Sequence, residues 1–204
     1  MSNSLDLLLV HPNASKKIYQ DLSKTFSAIE PPIWAGMLAT FVRNKGHNVQ
    51  ILDCEAEQLS VDEAAEKIKE LSPRIVAIVV YGQQPSASTQ NMTGAVLLSN
   101  ELEKYGIQRI YVGAHPSALP KRTLQDDPTA FVCQGEGAHT LDALLKVDLS
   151  SGEGLDEVPG LWYYDSDTKE IKNTAPAALI SNLEEDLPGV AWDLLPMEKY
   201  RTAN

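Results

Sequence analysis

Ile75-Val76-Ala77-Ile78-Val79-Val80-Tyr81-Gly82-Gln83-Gln84-Pro85-Ser86-Ala87-Ser88-Thr89 runs from an unbroken apolar segment into a small polar loop that carries no charge. A strand covered on both faces reads this way, because alternate side chains enter two buried surfaces. In open parallel sheets ligands sit beyond the carboxyl ends of the strands. The loop of Tyr81, Gly82, Gln83, Gln84, Pro85 and Ser86 is therefore a candidate binding rim, and a helical pattern follows it from about Thr89.

Working outward, a first strand is expected over 5–10 and a first helix over 32–45, with Pro32 at its start and Gly46 just past its end. Trp34, Met37, Leu38, Phe41 and Val42 recur at helical spacing and read as that helix's buried face. A second strand over 48–53 is followed by Ser60-Val61-Asp62-Glu63, a capping box for a helix bearing Val61, Ala64, Ala65, Ile68 and Leu71 that Pro73 ends. Beyond the opening run, Met92, Ala95, Val96, Leu102 and Tyr105 mark a helix closed by Gly106. A strand over 109–112, a short helix over 119–125, a strand over 130–133 and a helix over 137–147 complete the alternation. Strict alternation predicts an α/β fold, a flavodoxin-like (Rossmann-type) five-stranded parallel sheet with helices on both faces. Right-handed crossovers favour the order 2-1-3-4-5, with the switch point between strands one and three.

Three further strand-end loops share the weakly charged character of the first: Val10-His11-Pro12-Asn13, Val112-Gly113-Ala114-His115-Pro116-Ser117 and Cys133-Gln134-Gly135-Glu136-Gly137. Together they suggest one large ligand of low charge. The 204 residues suffice for a domain of about 150 residues and an appendage. We place the division at 1–149 and 150–204. Past it, Ser150, Ser151, Gly152 and Gly154 mark a linker, and segments 160–164 and 170–172 flank a turn at Asp165-Ser166-Asp167-Thr168, which reads as a β-hairpin. An extended arm follows, with Leu183, Leu187, Trp192, Leu194 and Leu195 scattered among Pro176, Pro188 and Pro196. It has no core of its own and must pack on something.

Charge narrows the function. Seventeen basic against 28 acidic residues give a net charge of −11, with no Lys/Arg cluster to neutralise phosphates, so nucleic acid is not an expected partner. No apolar stretch approaches a membrane span, and residues 5–10 lack the flanks of a signal peptide, so a cytoplasmic location is expected. In the proposed sheet order Cys54 and Cys133 end strands on opposite edges, about 19 Å apart, which excludes a disulfide and predicts buried thiols.

Familiar chemistry fits poorly. His11, His47, His115 and His139 have no metal-ligand spacing, and no cysteine pair completes a zinc site. Ser86 or Ser88 could face His115, but neither lies in a Gly-x-Ser-x-Gly elbow, and a hydroxyl bonding loop backbone or ligand is the plainer reading. Gly135-Glu136-Gly137 lacks the spacing and the Lys of a phosphate loop. Asp165 and Asp167 lack the Gly and the later Glu of a calcium loop, and a hairpin turn explains them.

The chain resembles the N-terminal cobalamin-binding domain of cobalamin-dependent radical S-adenosylmethionine enzymes. The residues that carry the likeness are Leu8-Leu9-Val10-His11-Pro12; Gly36; Gly46-His47-x-Val49-x-Ile51-Leu52-Asp53; Gly113-Ala114-His115-Pro116-Ser117-Ala118-Leu119-Pro120; Gly135-Glu136-Gly137-x-x-Thr140-Leu141; Pro159-Gly160-Leu161; and Trp192-Asp193-Leu194-Leu195-Pro196. Their order and spacing, rather than any one of them, are distinctive.

The resemblance implies cobalamin held by Pro12, Asn13, the loop from Tyr81 to Ser86, Gly113 to Ser117, and Gln134 to Gly137. Many cobalamin domains carry Asp-x-His-x-x-Gly after the first strand. Here Leu9 and Ala14 replace the Asp and Gly around His11, which implies a bound form with the cofactor's tail displaced into the protein and no His in its place. Tyr81, Gln83 and Gln84 would then neighbour the lower face of cobalt. Two cysteines cannot supply the three thiolates of a radical-enzyme [4Fe-4S] cluster. The cluster and S-adenosylmethionine are therefore expected in a radical barrel joined in cis beyond Asn204. The implied parent moves a methyl group from S-adenosylmethionine through cobalt to an unactivated carbon. Alternatives are a free-standing corrinoid shuttle or cobalamin sensor, and a flavodoxin-like flavin- or nucleotide-binding or protein-interacting domain. His11-Pro12-Asn13-Ala14-Ser15, with no glycine, leans away from phosphate.

Overall fold

The computed structural model describes residues 4–13, 28–81 and 85–201. Gly82, Gln83 and Gln84, and the loop residues Ala14 and Ser15, lie outside the described residues. The elements are β1 (Leu7–His11), α1 (Ile33–Asn44), β2 (Val49–Asp53), α2 (Val61–Leu71), β3 (Ile75–Val80), α3 (Pro85–Glu103), β4 (Arg109–Gly113), α4 (Ala114–Ala118), α5 (Pro120–Asp126), β5 (Phe131–Cys133), α6 (Ala138–Leu144), β6 (Leu161–Asp165), β7 (Glu170–Asn173) and α7 (Leu183–Asp186). Strands β2-β1-β3-β4-β5 lie side by side in that order and pair in parallel. This is the expected five-stranded sheet in the 2-1-3-4-5 order.

The alternation in the central strands divides the core. Leu7, Leu9, Ile75, Ala77, Val79, Ile110 and Val112 pack on one face with Leu38 and Phe41 of α1 and Leu141 and Leu144 of α6. Leu8, Val10, Val76, Ile78, Val80 and Tyr111 pack on the other with Ile68 of α2, Leu98 and Leu102 of α3, and Leu124 of α5. All six residues of β3 are buried. Since each fully buried aliphatic side chain contributes roughly 1.5–3 kcal/mol, the continuous run is the thermodynamic axis of the fold.

Local signals set the helix limits. Ser60 Oγ accepts a hydrogen bond from the Glu63 N–H and Glu63 Oε2 accepts one from the Ser60 N–H, closing the predicted capping box of α2. Helix α2 stops with Ser72 in a left-handed conformation (φ 47°), so its last turn is closed one residue before Pro73. Helix α3 starts at Pro85, four residues earlier than the apolar pattern indicates, and its first turn contributes the buried but polar Ser88, which an apolar pattern does not mark. The short helix expected over 119–125 is two helices, α4 and α5, with Pro120 opening the second.

The hairpin departs from a simple appendage. Strand β6 pairs antiparallel with β5 (Val132↔Trp162, Cys133↔Leu161) and β7 pairs antiparallel with β6, so the sheet has seven strands. Strand β5 is consequently not an edge, contrary to the placement of Cys133 above. Both cysteines are free and buried. The hairpin turn is held by Asp165 Oδ1, which accepts from the N–H groups of Asp167 (2.8 Å) and Thr168 (3.0 Å), while its other oxygen pairs with Lys172.

The arm packs where the sequence demanded a partner. Ile180, Leu187 and Leu194 lie against the α1/α6 core and Ala191 is buried in it. The Ala191 N–H donates to the Gly36 carbonyl (3.1 Å), and a Cβ on Gly36 would stand 2.3 Å from Val190 Cγ1. Gly36 thus lets the arm touch the backbone of α1. Arg43 adds a bidentate pair with Asp193 at 2.7 and 3.2 Å.

At the opposite, amino end of the strands, Arg109 is 3% exposed and donates to Asp127 Oδ1 (3.0 Å) and Thr129 Oγ1 (2.6 Å), and Tyr111 Oη donates to Asp127 Oδ2 (2.8 Å). Among the described residues no helix is long and apolar enough to cross a membrane.

Candidate functional site

Five parallel strands place five carboxyl ends on one rim, and hydrogen bonds between consecutive loops shape it. Ser88, fully buried, donates to the Val80 carbonyl at the end of β3 and accepts from the His115 N–H (3.0 Å) at the start of α4. Its hydroxyl therefore joins two strand ends and is no nucleophile, which is the plainer of the two expected readings. Thr89 Oγ1 lies 3.1 Å from His115 Nδ1. Asn91 Nδ2 donates to the Tyr81 carbonyl (3.2 Å). The Gly135 N–H donates to Ser117 Oγ (2.9 Å), which links the loop after β5 to α4.

Two glycines permit this closeness. A Cβ at Gly113 would lie 2.2 Å from the Val80 carbonyl oxygen, so only glycine lets β4 end against β3 here. Gly137 has φ +93° and caps α6 tightly, since a Cβ there would meet Val112 Cγ1 at 2.7 Å. Gly135 differs: nothing lies within 4 Å of a Cβ built on it, so the backbone at this corner of the rim borders open space.

The predicted residues do not all converge. Tyr81, Gly113, Ala114, His115, Pro116, Ser117 and Gly135 belong to the bonded group at the ends of β3, β4 and β5. Asn13 instead donates to the Leu59 carbonyl (3.1 Å), and with Pro12 it borders a narrow cleft shared with Cys54, Ala64 and Leu98 on the β2 side. The side chains of Gln134 and Glu136 turn to the C-terminal segment: Gln134 Oε1 accepts from Trp162 Nε1 (2.9 Å) and Glu136 Oε2 accepts from the Ile180 N–H (2.8 Å). They anchor the hairpin and arm, leaving the loop's backbone and small residues to the rim. Gly82, Gln83, Gln84 and the side chains of Pro85 and Ser86 lie outside the described residues.

Two features were not visible in the sequence. Trp34 is not a core residue: it is 39% exposed at the first turn of α1 and stacks on Tyr81 with ring centroids 4.9 Å apart and planes 21° apart. Helical spacing groups it with Phe41, but its place on the rim end of the helix puts it over the strand termini. Burial, with the nearby Cys133 and Glu136, pushes the Tyr81 phenol up to about 12, so it remains a neutral hydroxyl.

The second is a cluster at the ends of β1 and β2. His11 Nδ1 lies 3.1 Å from Asp53 Oδ1, and Tyr200 Oη donates to Asp53 Oδ2 (3.0 Å). Burial opposes charge on His11, yet the hydrogen bond and charge of Asp53, with Glu55, hold its pKa above the ordinary value. Burial likewise opposes ionisation of Asp53, but His11, the Ala56 N–H and Tyr200 keep its carboxyl below the usual range. The two shifts agree on an ion pair. These partners lie 42 and 147 residues from Asp53, so no local motif announces them. Cys133, pushed up to about 11 by burial, remains an inert thiol.

Among the described residues, the ends of β3, β4 and β5 thus offer hydroxyls, small residues and an aromatic pair, with the half-buried Glu136 carboxylate engaged by the arm. Such a donor set suits a large ligand with neutral amide edges better than a phosphate, and the open backbone at Gly135 leaves room for it.

Comparison with known proteins agrees. A family model described as the B12 binding domain matches residues 19–145. The uncharacterized methyltransferase PH0819 of Pyrococcus horikoshii is 32% identical over 201 residues, covering 97% of this chain and 40% of that protein. The anaerobic magnesium-protoporphyrin IX monomethyl ester cyclase of Cereibacter sphaeroides is 25% identical over 204 residues, covering 95% and 30%. Among solved structures, the cobalamin-dependent S-adenosylmethionine radical enzyme OxsB with aqua-cobalamin and S-adenosylmethionine bound superposes with a TM-score of 0.66 at 19% identity, over 94% of this chain and 25% of that one. The radical S-adenosylmethionine methyltransferase TsrM of Kitasatospora setae, with tryptophan and a S-adenosylmethionine analogue, gives 0.60 at 18% identity, over 86% and 31%. The chain therefore spans two fifths or less of these proteins' lengths. With a family match across more than half of its residues and the fold to hold it, this chain belongs to the B12 binding domain family.

Proposed function

We propose that the chain is the cobalamin-holding module of a radical S-adenosylmethionine enzyme that transfers a methyl group from S-adenosylmethionine to an unactivated carbon. Residues 1–149 would carry the cofactor, and 150–204 would form the hairpin and linker towards a radical barrel holding the [4Fe-4S] cluster and S-adenosylmethionine. The single observation that carries the reading is the neutral rim tied together by Ser88, Gly113 and Ser117 at the ends of β3, β4 and β5. The finer assignment to methyl transfer is supported by the 32% identity to a protein named a methyltransferase, against 25% for a cyclase.

When bound, cobalamin supplies a cobalt centre able to carry a methyl group. This chain's residues position it. The open space beside the Gly135 backbone would admit a bulky ring system, and the Ser117 hydroxyl and the backbone of the loop after β5 would meet neutral amide side chains. Leu9 and Ala14, in place of the Asp and Gly that flank the ligating His in many cobalamin domains, support a bound form in which no imidazole of the chain replaces the displaced tail.

The test is a visible absorption spectrum of the purified chain after incubation with hydroxocobalamin and desalting. Retained cobalamin with a tail-displaced spectrum is expected, and an uncoloured protein overturns the proposal. For the parent, label from methyl-labelled S-adenosylmethionine should leave in a carbon-bound methyl group; unlabelled product would move the assignment to the cyclases.

A further inference from the structure

We infer that Trp34 and Tyr81 form an aromatic floor on which the flat macrocycle of cobalamin rests, offering carbon surface rather than a ligand atom to its metal. This rests on the cobalamin reading above and assigns two contacts within it.

The core does not need Trp34. Helix α1 already buries Ala35, Leu38, Ala39, Phe41 and Val42, while Trp34 keeps 39% of its surface exposed although Tyr81 covers one face of its ring. Ile33 beside it is 41% exposed, so the rim end of this helix presents apolar surface where the sequence could have placed polar caps. Tyr81 is the first residue past β3, the middle of the five parallel strands, and Asn91 holds its carbonyl in place. A nearly parallel ring pair at the centre of a ligand rim is complementary to a flat, largely apolar ring plane with polar edges.

The pair also lacks coordinating chemistry. An indole N–H donates but has no lone pair to offer, and a protonated phenol is a poor metal ligand. A planar flavin would satisfy the same surface, so the experiment must separate the two.

Hydroxocobalamin and FMN are titrated separately into the purified chain and into Trp34→Ala, Trp34→Leu, Trp34→Phe and Tyr81→Phe, with far-UV circular dichroism as the folding control. Loss of one aromatic wall should weaken cobalamin binding roughly tenfold in Trp34→Ala and in Trp34→Leu, which keeps bulk without a ring. Trp34→Phe should recover most of the affinity. Tyr81→Phe should bind within about twofold of the parent with an unchanged spectrum of the bound cofactor, since no oxygen ligand is lost. If the parent chain retains cobalamin and folded Trp34→Ala or Trp34→Leu binds it equally well, the floor is wrong and the cobalamin reading stands. A spectral change in Tyr81→Phe would make the phenol oxygen a ligand and overturn the floor. Retention of FMN without cobalamin, or of neither, removes both proposals.

Discussion

Tyr200 donates a 3.0 Å hydrogen bond to Asp53, 147 residues before it, and Asp53 in turn pairs with His11 at 3.1 Å. The end of the arm is thereby fastened to the carboxyl ends of β1 and β2. The adjacent Ile29 and Arg201 exchange both backbone hydrogen bonds at 2.9 and 3.0 Å. The fastening is ionic, which gives it a pH window. Asp53 ionises more readily in the fold, so its contribution is present above its unfolded value, about 3.9, and is lost as pH falls through the lower folded value. His11 holds its proton more tightly in the fold, so its contribution is complete below about 6.5 and is lost as pH rises through the higher folded value. The difference in melting temperature between the parent and Asp53→Asn should therefore be largest between about pH 4 and 6.5 and shrink on either side. A difference independent of pH would mean that the pair is not charged.

Gly36→Ala should loosen the arm. The new Cβ meets Val190 Cγ1 at 2.3 Å, and relieving that overlap in a packed site costs about 1–3 kcal/mol. Limited proteolysis should cut residues 176–200 sooner than in the parent, at a denaturant midpoint only modestly lower. Equal cutting would mean that the arm absorbs the methyl group without lifting.

Ser88→Ala removes a buried hydroxyl that satisfies both the Val80 carbonyl and the His115 N–H. Two backbone groups lose a partner, for which about 1–3 kcal/mol is the expected loss in a urea titration. Cobalamin retention should fall as well, because this residue joins the ends of β3 and β4. Full retention at parental stability would show that water replaces the hydroxyl without consequence.

Arg109→Met strands the Asp127 carboxylate in the protein interior. Breaking a buried pair from one side costs about 3–5 kcal/mol, so this should be the most destabilising of these variants. Adding Asp127→Leu should restore part of the loss, since the uncompensated charge goes with it. Because the network lies at the amino ends of the strands, whatever protein stays folded should bind cobalamin with parental affinity.

Much of this was legible in the residues. The run 75–80 is buried along its whole length, and alternation between two cores is what an unbroken apolar strand encodes. Ser60 and Glu63 close their capping box because both partners lie within one turn. Asp165 holds its turn for the same local reason. What escaped was long-range or end-of-element. Trp34 keeps helical phase with Phe41, and phase says which side of a helix a residue lies on but not whether the sheet still extends beneath it. Asp53 and Tyr200 meet across most of the chain, and Arg109 at the start of β4 meets Asp127, just past α5, only because β4 and β5 lie side by side. Gln134 and Glu136 read as rim residues by position, yet the hairpin and arm, packing alongside β5, claim their side chains.

That added hairpin changes how the sheet meets other molecules. A parallel sheet ending at β5 would leave a strand with unpaired backbone N–H and C=O groups beside the ligand rim, open to pairing with a neighbouring chain. Strand β6 takes up those groups and passes the exposed edge to β7, which is four residues long and carries Glu170 and Lys172. A short edge marked by opposite charges is a poor template for further strands. The bend that reverses the chain at Asp165 thus doubles as protection against self-association, at the margin nearest the loops that must remain accessible.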